Sequence, residues 1–173
     1  MLLVSGGASM GEKDFTRALL EALGFEIIFS QINLRPGRPL IFGVSGGASV
    51  PASRLVGSLA PPNKVRVAFG LPGNPLSHFV CFHFAVAVAL ARLAGGEPPN
   101  FLRGQLAEEL DDKPCPRETL WPARLDAAGL HPLKWASSGD VTCLAQTNAL
   151  VRVPVNRDSI ESGAEVDFLP TNP

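Results

Sequence analysis

Three short segments rich in glycine and proline carry the residue types that receive anions. The first is Ser5-Gly-Gly-Ala-Ser-Met-Gly-Glu-Lys-Asp14, a glycine-rich turn between an apolar run and an amphipathic stretch. Such a turn exposes backbone N–H groups, and the N-terminus of a following helix adds positive potential. A phosphate, a pterin edge or an oxyanion can be received there. Asp14 falls in the first helical turn. One reading is favourable charge placement against the helix dipole, worth under about 1 kcal/mol. The other is a carboxylate aimed into the same crevice, able to hold a metal or orient water. Acidic residues are common at helix starts, which weighs toward the first.

The second segment is Arg35-Pro-Gly-Arg38. Proline at the second position and glycine at the third fit a type II turn, which brings its outer residues within about 7 Å. Two guanidinium groups can then converge on one anion, each offering several donors. The alternative is a solvated tip with both charges kept wet. Without a nearby acid the two arginines repel each other, and an anionic ligand would relieve that cost.

The third segment is Leu71-Pro-Gly-Asn-Pro75 followed by Ser77. Taken alone it is a well-capped helix start, with Asn74 as N-cap and Pro75 at the first helical position. Its position adds meaning. The first and third turns both follow strand-like runs, and ligands of open α/β sheets bind outside the carboxyl ends of strands. His78, Cys81 and His83 sit at spacings of three and five, which do not share one helix face. They are expected to pack in or beside the core rather than hold a metal. No nucleophile–base pair and no P-loop lysine signature is present.

The elements that must position these segments follow from the hydrophobic pattern. Met1–Val4 reads as a strand, Lys13–Leu23 as a helix closed by Gly24, and Phe25–Leu34 and Leu40–Val44 as strand-like runs. Ser45–Asn63 is loop-like in composition, and Val65–Leu71 is a buried strand. A long apolar helix runs from Asn74 to Leu93, with Gly95-Gly96 as its stop. Strand, helix, strand, helix indicate an α/β unit with a partly parallel sheet. Glu97-Pro-Pro-Asn100 divides residues 1–96 from residues 97–173. Beyond it, Phe101–Leu106, Thr119–Leu125, Leu130–Trp135, Ala149–Val155 and Glu165–Leu169 form a small β module.

Composition narrows the partners. Hydrophobic residues make up 46% and charged residues 18%, which excludes general disorder. A net charge of −1 gives no bulk attraction for nucleic acid or an anionic membrane. Phe79–Leu93 contains His83 and Arg92, is short for a bilayer and reads as a buried helix. Cys81, Cys115 and Cys143 are odd in number and lack a CxxC pair, which fits reduced thiols. No basic segment precedes Leu2-Leu-Val4, so a secretory signal is not expected.

In order and interval the three segments resemble the molybdopterin molybdenumtransferase family, to which MoeA and the gephyrin E domain belong. Ser5–Asp14 looks like the family's SGGxSxGxxD segment. Arg35-Pro-Gly-Arg-Pro39 is similar to its KPGKP turn, with arginine for both lysines, and Leu71–Ser77 is similar to LPGNPxS. Ser138-Gly-Asp140, Asn148-Ala-Leu150 and Pro154 extend the resemblance into the β module. The resemblance implies an α/β fold: a partial three-layer sheet of the molybdopterin-binding type, followed by a small all-β C-terminal module. It implies a transferase of molybdenum-cofactor biosynthesis that inserts molybdate into adenylylated molybdopterin and releases AMP.

Carried over by position, Asp14 is the catalytic aspartate and the residue to hold a divalent cation, magnesium. Ser5, Gly6, Gly7, Ser9, Gly11, Pro72, Gly73, Asn74 and Pro75 fall at the pterin substrate. Arg38, Pro39 and Ser77 surround molybdate, with Arg35 close by, and Arg117 and Ser138 are the β module's contributions. Arginine in place of lysine keeps charge but changes donor geometry. The resemblance further implies a cytoplasmic enzyme acting on small molecules, a homodimer at full length, with no nucleic acid or membrane partner. A non-catalytic binding or scaffolding module of the same fold is the alternative. The family has an acidic residue just before the strand leading to Ser5-Gly-Gly, whereas this sequence opens inside that strand. The chain is therefore expected to be a fragment, inactive alone.

Overall fold

A computed structural model describes residues 1–7, 15–46 and 65–171. They form two compact units: Met1–Ile32 with Pro39–Gly73, and Asn33–Arg38 with Asn74–Pro173.

The first unit contains β1 (Leu2–Ser5), α1 (Phe15–Ala22), β2 (Glu26–Phe29), β4 (Ile41–Ser45) and β5 (Arg66–Leu71). Its four strands lie in the order β1-β5-β4-β2. β1 pairs with β5 in parallel, whereas β4 is antiparallel to both β5 and β2. The sheet is mixed, as the sequence implies. Helix α1 lays Leu20 onto Phe25, Ile41 and Ala68, with Leu2, Val4 and Ile27 packed beside them. Gly24 ends the helix at φ +81°. Its amide donates to the Glu21 carbonyl and the Phe25 amide to the Leu20 carbonyl, each at 3.0 Å. This double closure satisfies carbonyls the helix leaves open, and the Leu20–Phe25 contact seals it.

The second unit is mostly β. It comprises β3 (Leu34–Arg35), β6 (Leu102–Gln105), β7 (Leu110–Asp111), β8 (Glu118–Asp126), β9 (Gly129–Pro132), β10 (Ala149–Val153), β11 (Ser159–Ile160) and β12 (Glu165–Pro170). The sheet order is β3-β8-β10-β12-β6, with β9 paired to β8, while β7 and β11 pair separately. Leu106, Leu110, Leu130, Val151, Val153, Val166 and Phe168 form its core. A short helix, α3 (Val141–Gln146), packs near β8. Five strands match the apolar runs of the sequence. The pairs β7 and β11 and the helix α3 are too short to show a period there.

Two expectations need correction. The run Phe25–Leu34 is not one strand: β2 stops at Phe29, and Leu34–Arg35 joins a different sheet, parallel to Glu118–Thr119 of β8. The second concerns the long helix α2 (Pro75–Leu93), which is π-helical over Phe82–Val86. It was expected to be buried. Leu76, Val80, Cys81 and Val86 are indeed fully buried, but no residue of Ala87–Leu93 is. At 19 residues and mean hydropathy 1.7, α2 is long and apolar enough to cross a membrane. Its burial is confined to the part before Ala87, and Leu90 and Leu93 are exposed.

Candidate functional site

In the first unit, the parallel pairing of β1 with β5 sets Ser5 opposite Leu71. The glycine-rich turn after β1 and the Pro72-Gly73 turn after β5 therefore leave the sheet side by side. A Cβ added at Gly73 would lie 3.5 Å from the Gly6 Cα. Gly6 and Gly7 adopt φ of +83° and +63°, conformations that favour glycine. The Gly6 amide is already used, donating to the Leu71 carbonyl at 3.0 Å. Thr16, buried on α1, locks the turn: its hydroxyl donates to the Gly6 carbonyl at 2.7 Å and its amide to the Gly7 carbonyl at 3.3 Å. Gly70 leaves room for it, since a Cβ there would meet the Thr16 methyl at 2.5 Å. Pro72 is buried, Gly73 exposed and Pro39 half-buried. Ser9, Gly11 and Asp14 lie outside the described residues.

In the second unit, the loop at Ser138 meets the start of α2. Asn74 holds the cap position in extended backbone, and Pro75 opens the helix. The Asn74 side chain does not cap it. Its amide instead donates to Ser138 Oγ at 2.8 Å, while the Ser138 carbonyl accepts the Leu76 amide at 2.9 Å. One of the amides that a helix start leaves unsatisfied is thus taken by a residue 62 positions away in the β module. Asp140 holds this loop in shape, accepting the Cys143 amide at 3.0 Å and the Ala136 amide at 3.2 Å. Those bonds, the Cys143 one foremost, hold its carboxyl below the usual carboxylate range.

The Arg35–Arg38 segment sits on the same unit. The Arg35–Pro36 peptide is cis and Gly37 has φ +122°. Pro36 and Gly37 are buried, whereas Arg38 is exposed. Cys81 of α2 underlies the turn, its thiol donating to the Gly37 carbonyl at 3.4 Å. A Cβ at Gly37 would lie 2.6 Å from that sulfur and 3.7 Å from the Ser77 carbonyl oxygen. Ser77, which is buried, therefore lies beside the turn that carries Arg38. Burial pushes the Cys81 thiol up to about 12. His83 stacks between Phe79 and Phe82, with ring centroids at 4.4 and 5.4 Å. Burial lowers its pKa.

Arg35 has company that the sequence did not suggest. Its guanidinium pairs with Asp112, and its Nε donates to Thr119 Oγ1 at 3.0 Å. The premise of two arginines lacking a nearby acid is thus not met. Half-buried Arg117 donates to the Leu34 carbonyl at 3.5 Å. Sequence reasoning missed Thr16, Asp112 and Thr119, and quoted Asp140 only within Ser138-Gly-Asp140, without the capping role that its place before Val141-Thr-Cys signals. A cavity of about 590 Å³ elsewhere on this unit is lined by Arg103, Arg152, Arg157, Glu165 and Asp167 among others, and by none of the sequence-predicted site residues.

The sequence and fold match known proteins over almost the whole chain. Residues 1–92 match a family described as "Probable molybdopterin binding domain", and residues 103–171 match "MoeA C-terminal region (domain IV)". A molybdopterin molybdenumtransferase of Nostoc is 31% identical over 96% of this chain and 36% of its own length. The Drosophila melanogaster molybdenum cofactor synthesis protein cinnamon is 40% identical over 54% of this chain and 13% of its own length. A crystal structure of the molybdopterin biosynthesis MoeA protein from Pyrococcus horikosii superposes with TM-score 0.72 at 27% identity, covering 99% of this chain and 37% of that one. The chain thus spans little more than a third of the length of the relatives that match it end to end.

Proposed function

The chain belongs to the MoeA family of molybdenum-cofactor proteins, corresponding to their C-terminal part, and on that premise we propose that it carries binding elements of a molybdopterin molybdenumtransferase. The observation carrying this reading is the parallel register of Ser5 with Leu71, which sets Gly6 beside Gly73. Two turns at the carboxyl ends of neighbouring parallel strands are where an α/β sheet receives a ligand. Adenylylated molybdopterin is assigned to these turns, through Ser5, Gly6, Gly7, Ser9, Gly11, Pro72, Gly73, Asn74 and Pro75.

Molybdate, a tetrahedral dianion, is assigned to Arg38, Pro39 and Ser77, with Arg35 close by and Arg117 and Ser138 as the β module's contributions. Fixed donors and a guanidinium hold such a dianion without reorganising when it reacts. In this reading molybdate enters the pterin dithiolene, AMP is the leaving product and Asp14 is the catalytic carboxylate. Among the described residues no group of three or more His, Cys, Asp or Glu is arranged around a cation. Magnesium is assigned to Asp14, which lies outside the described residues, and no step is routed through it. A cytoplasmic, homodimeric enzyme with no membrane partner completes the reading, with the domain boundary at residues 96–97.

The test is direct binding. Titrating the chain with adenylylated molybdopterin, and separately with molybdate, should give saturable uptake of each, with Arg38→Ala weakening molybdate alone. A folded chain that takes up neither ligand would leave the scaffolding alternative.

A further inference from the structure

We infer that Arg35 and Asp112 form a positioning pair that fixes the turn carrying Arg38, and that Arg35 is not itself a ligand of the oxyanion. The inference rests on the reading of Arg38 and Ser77 as an oxyanion site. Arg35 is held at two of its three guanidinium nitrogens. Its terminal nitrogen pairs with Asp112, its Nε donates to Thr119, and its Cζ lies 5.9 Å from the ring centroids of both Trp121 and Trp135. The Arg35 and Asp112 side chains are only 20% and 9% exposed. An anion recruiting Arg35 would have to displace this carboxylate, leaving a nearly buried charge without its partner.

The same contacts fix the backbone. Leu34 and Arg35 are the whole of β3, held in register with Glu118 and Thr119 of β8. At the start of this register, Asn33 donates to the Pro116 carbonyl at 3.2 Å and Arg117 to the Leu34 carbonyl. Only Pro36 and Gly37, both buried, separate this anchor from Arg38. Asp112 therefore acts on the oxyanion site through Arg35. It holds the strand that presents Arg38, and it removes one positive charge from the field an anion meets. A dianion then faces Arg38 rather than a pair of bare guanidinium groups, which lowers the pull on any anion and leaves shape and donor geometry to choose among them.

Two readouts test this on the full chain. Backbone hydrogen exchange at Gly37 and Arg38 reads positioning without any ligand. Calorimetric titration with sodium molybdate at low and high sodium chloride reads the anion site. In the charge-neutral double variant Arg35→Gln/Asp112→Asn, exchange should quicken by about tenfold or more as local opening becomes easier. Its molybdate affinity should fall, with the salt dependence kept as in the wild type, because no net charge is lost. Arg38→Ala should lose affinity and salt dependence together. If the double variant does not fold, Thr119→Ala removes one contact of Arg35 and keeps its charge, and exchange at Gly37 and Arg38 is then the readout that decides. Unchanged exchange overturns the positioning role. A salt dependence flattened as far as in Arg38→Ala shows Arg35 holding the anion and overturns the inference. If the wild type takes up no molybdate, the functional reading falls, and exchange alone decides whether the pair positions the turn.

Discussion

Asn74 donates its side-chain amide to Ser138 Oγ at 2.8 Å, joining the start of the long helix to a β-module loop 64 residues later. Both residues belong to the set assigned to substrate, and neither neighbour in sequence hints at the bond. The Ser138 carbonyl also holds the Leu76 amide, so the loop is tied twice. Ser138→Ala removes only the first tie. An exposed neutral hydrogen bond is worth about 0.5–1.5 kcal/mol. A denaturation double-mutant cycle with Asn74→Ala should therefore return a coupling of about 0.5–1.5 kcal/mol. Additive effects would show that the two side chains do not hold each other in solution.

Gly37 tests the packing beneath Arg38. A Cβ there meets the Cys81 sulfur at 2.6 Å, and φ is +122°. Crowding and backbone strain each cost about 1–3 kcal/mol. Gly37→Ala should lower stability by roughly 2–6 kcal/mol on those figures. Adding Cys81→Ala should recover the steric part and leave the strain. Calorimetric melting of the two variants decides it: no recovery in the double variant would mean that sulfur and turn are not in contact.

Much of this was legible in the sequence where the signal is local. The strand before Ser5, the helix ending at Gly24 and the helix opening at Pro75 are each announced by glycine, proline or period. What escaped was set by distant partners. Leu34–Arg35 leaves the run that begins at Phe25 because its register lies with Glu118–Thr119. Asp112 reaches Arg35 across 77 residues, and nothing in the acidic stretch Glu108-Glu-Leu-Asp-Asp112 marks which carboxylate does so. The side chain of Asn74, read as a cap, instead donates to Ser138, whose carbonyl already takes the Leu76 amide at 2.9 Å that a cap would serve. The end of α2 shows the opposite failure: an unbroken apolar run says what can be buried, not what is.

Cys81 offers a check on burial beside the proposed oxyanion site. The thiol is fully buried, its pKa is raised to about 12 and it is committed to Gly37. Thiolate is the reactive form, so native Cys81 should resist alkylation at mildly alkaline pH. Its modification, followed by mass spectrometry of the Cys81 peptide, should track unfolding by denaturant. Rapid labelling under native conditions would show that the sulfur is open to solvent and cannot underlie the turn.

His131 gives the β module a pH dependence with a definite sign. Its Nδ1 lies 2.9 Å from Glu108 Oε1 and its Nε2 3.1 Å from Asp126 Oδ1, and the side chain is 18% exposed. The hydrogen bonds to Glu108 and then Asp126 raise its pKa above the ordinary 6.5. A group bound more tightly to its proton when folded stabilises the fold fully below the unfolded value. That contribution is lost as pH climbs through the raised one. Asp126 is shifted the other way, chiefly by the Ala128 amide, and its contribution disappears only on acidification below the ordinary carboxylate range. The two effects therefore occupy separate windows. Between about pH 6 and 8 the melting temperature should fall with rising pH, and His131→Gln should flatten that slope without touching the acid limb. A slope that survives the substitution would place the titrating group elsewhere.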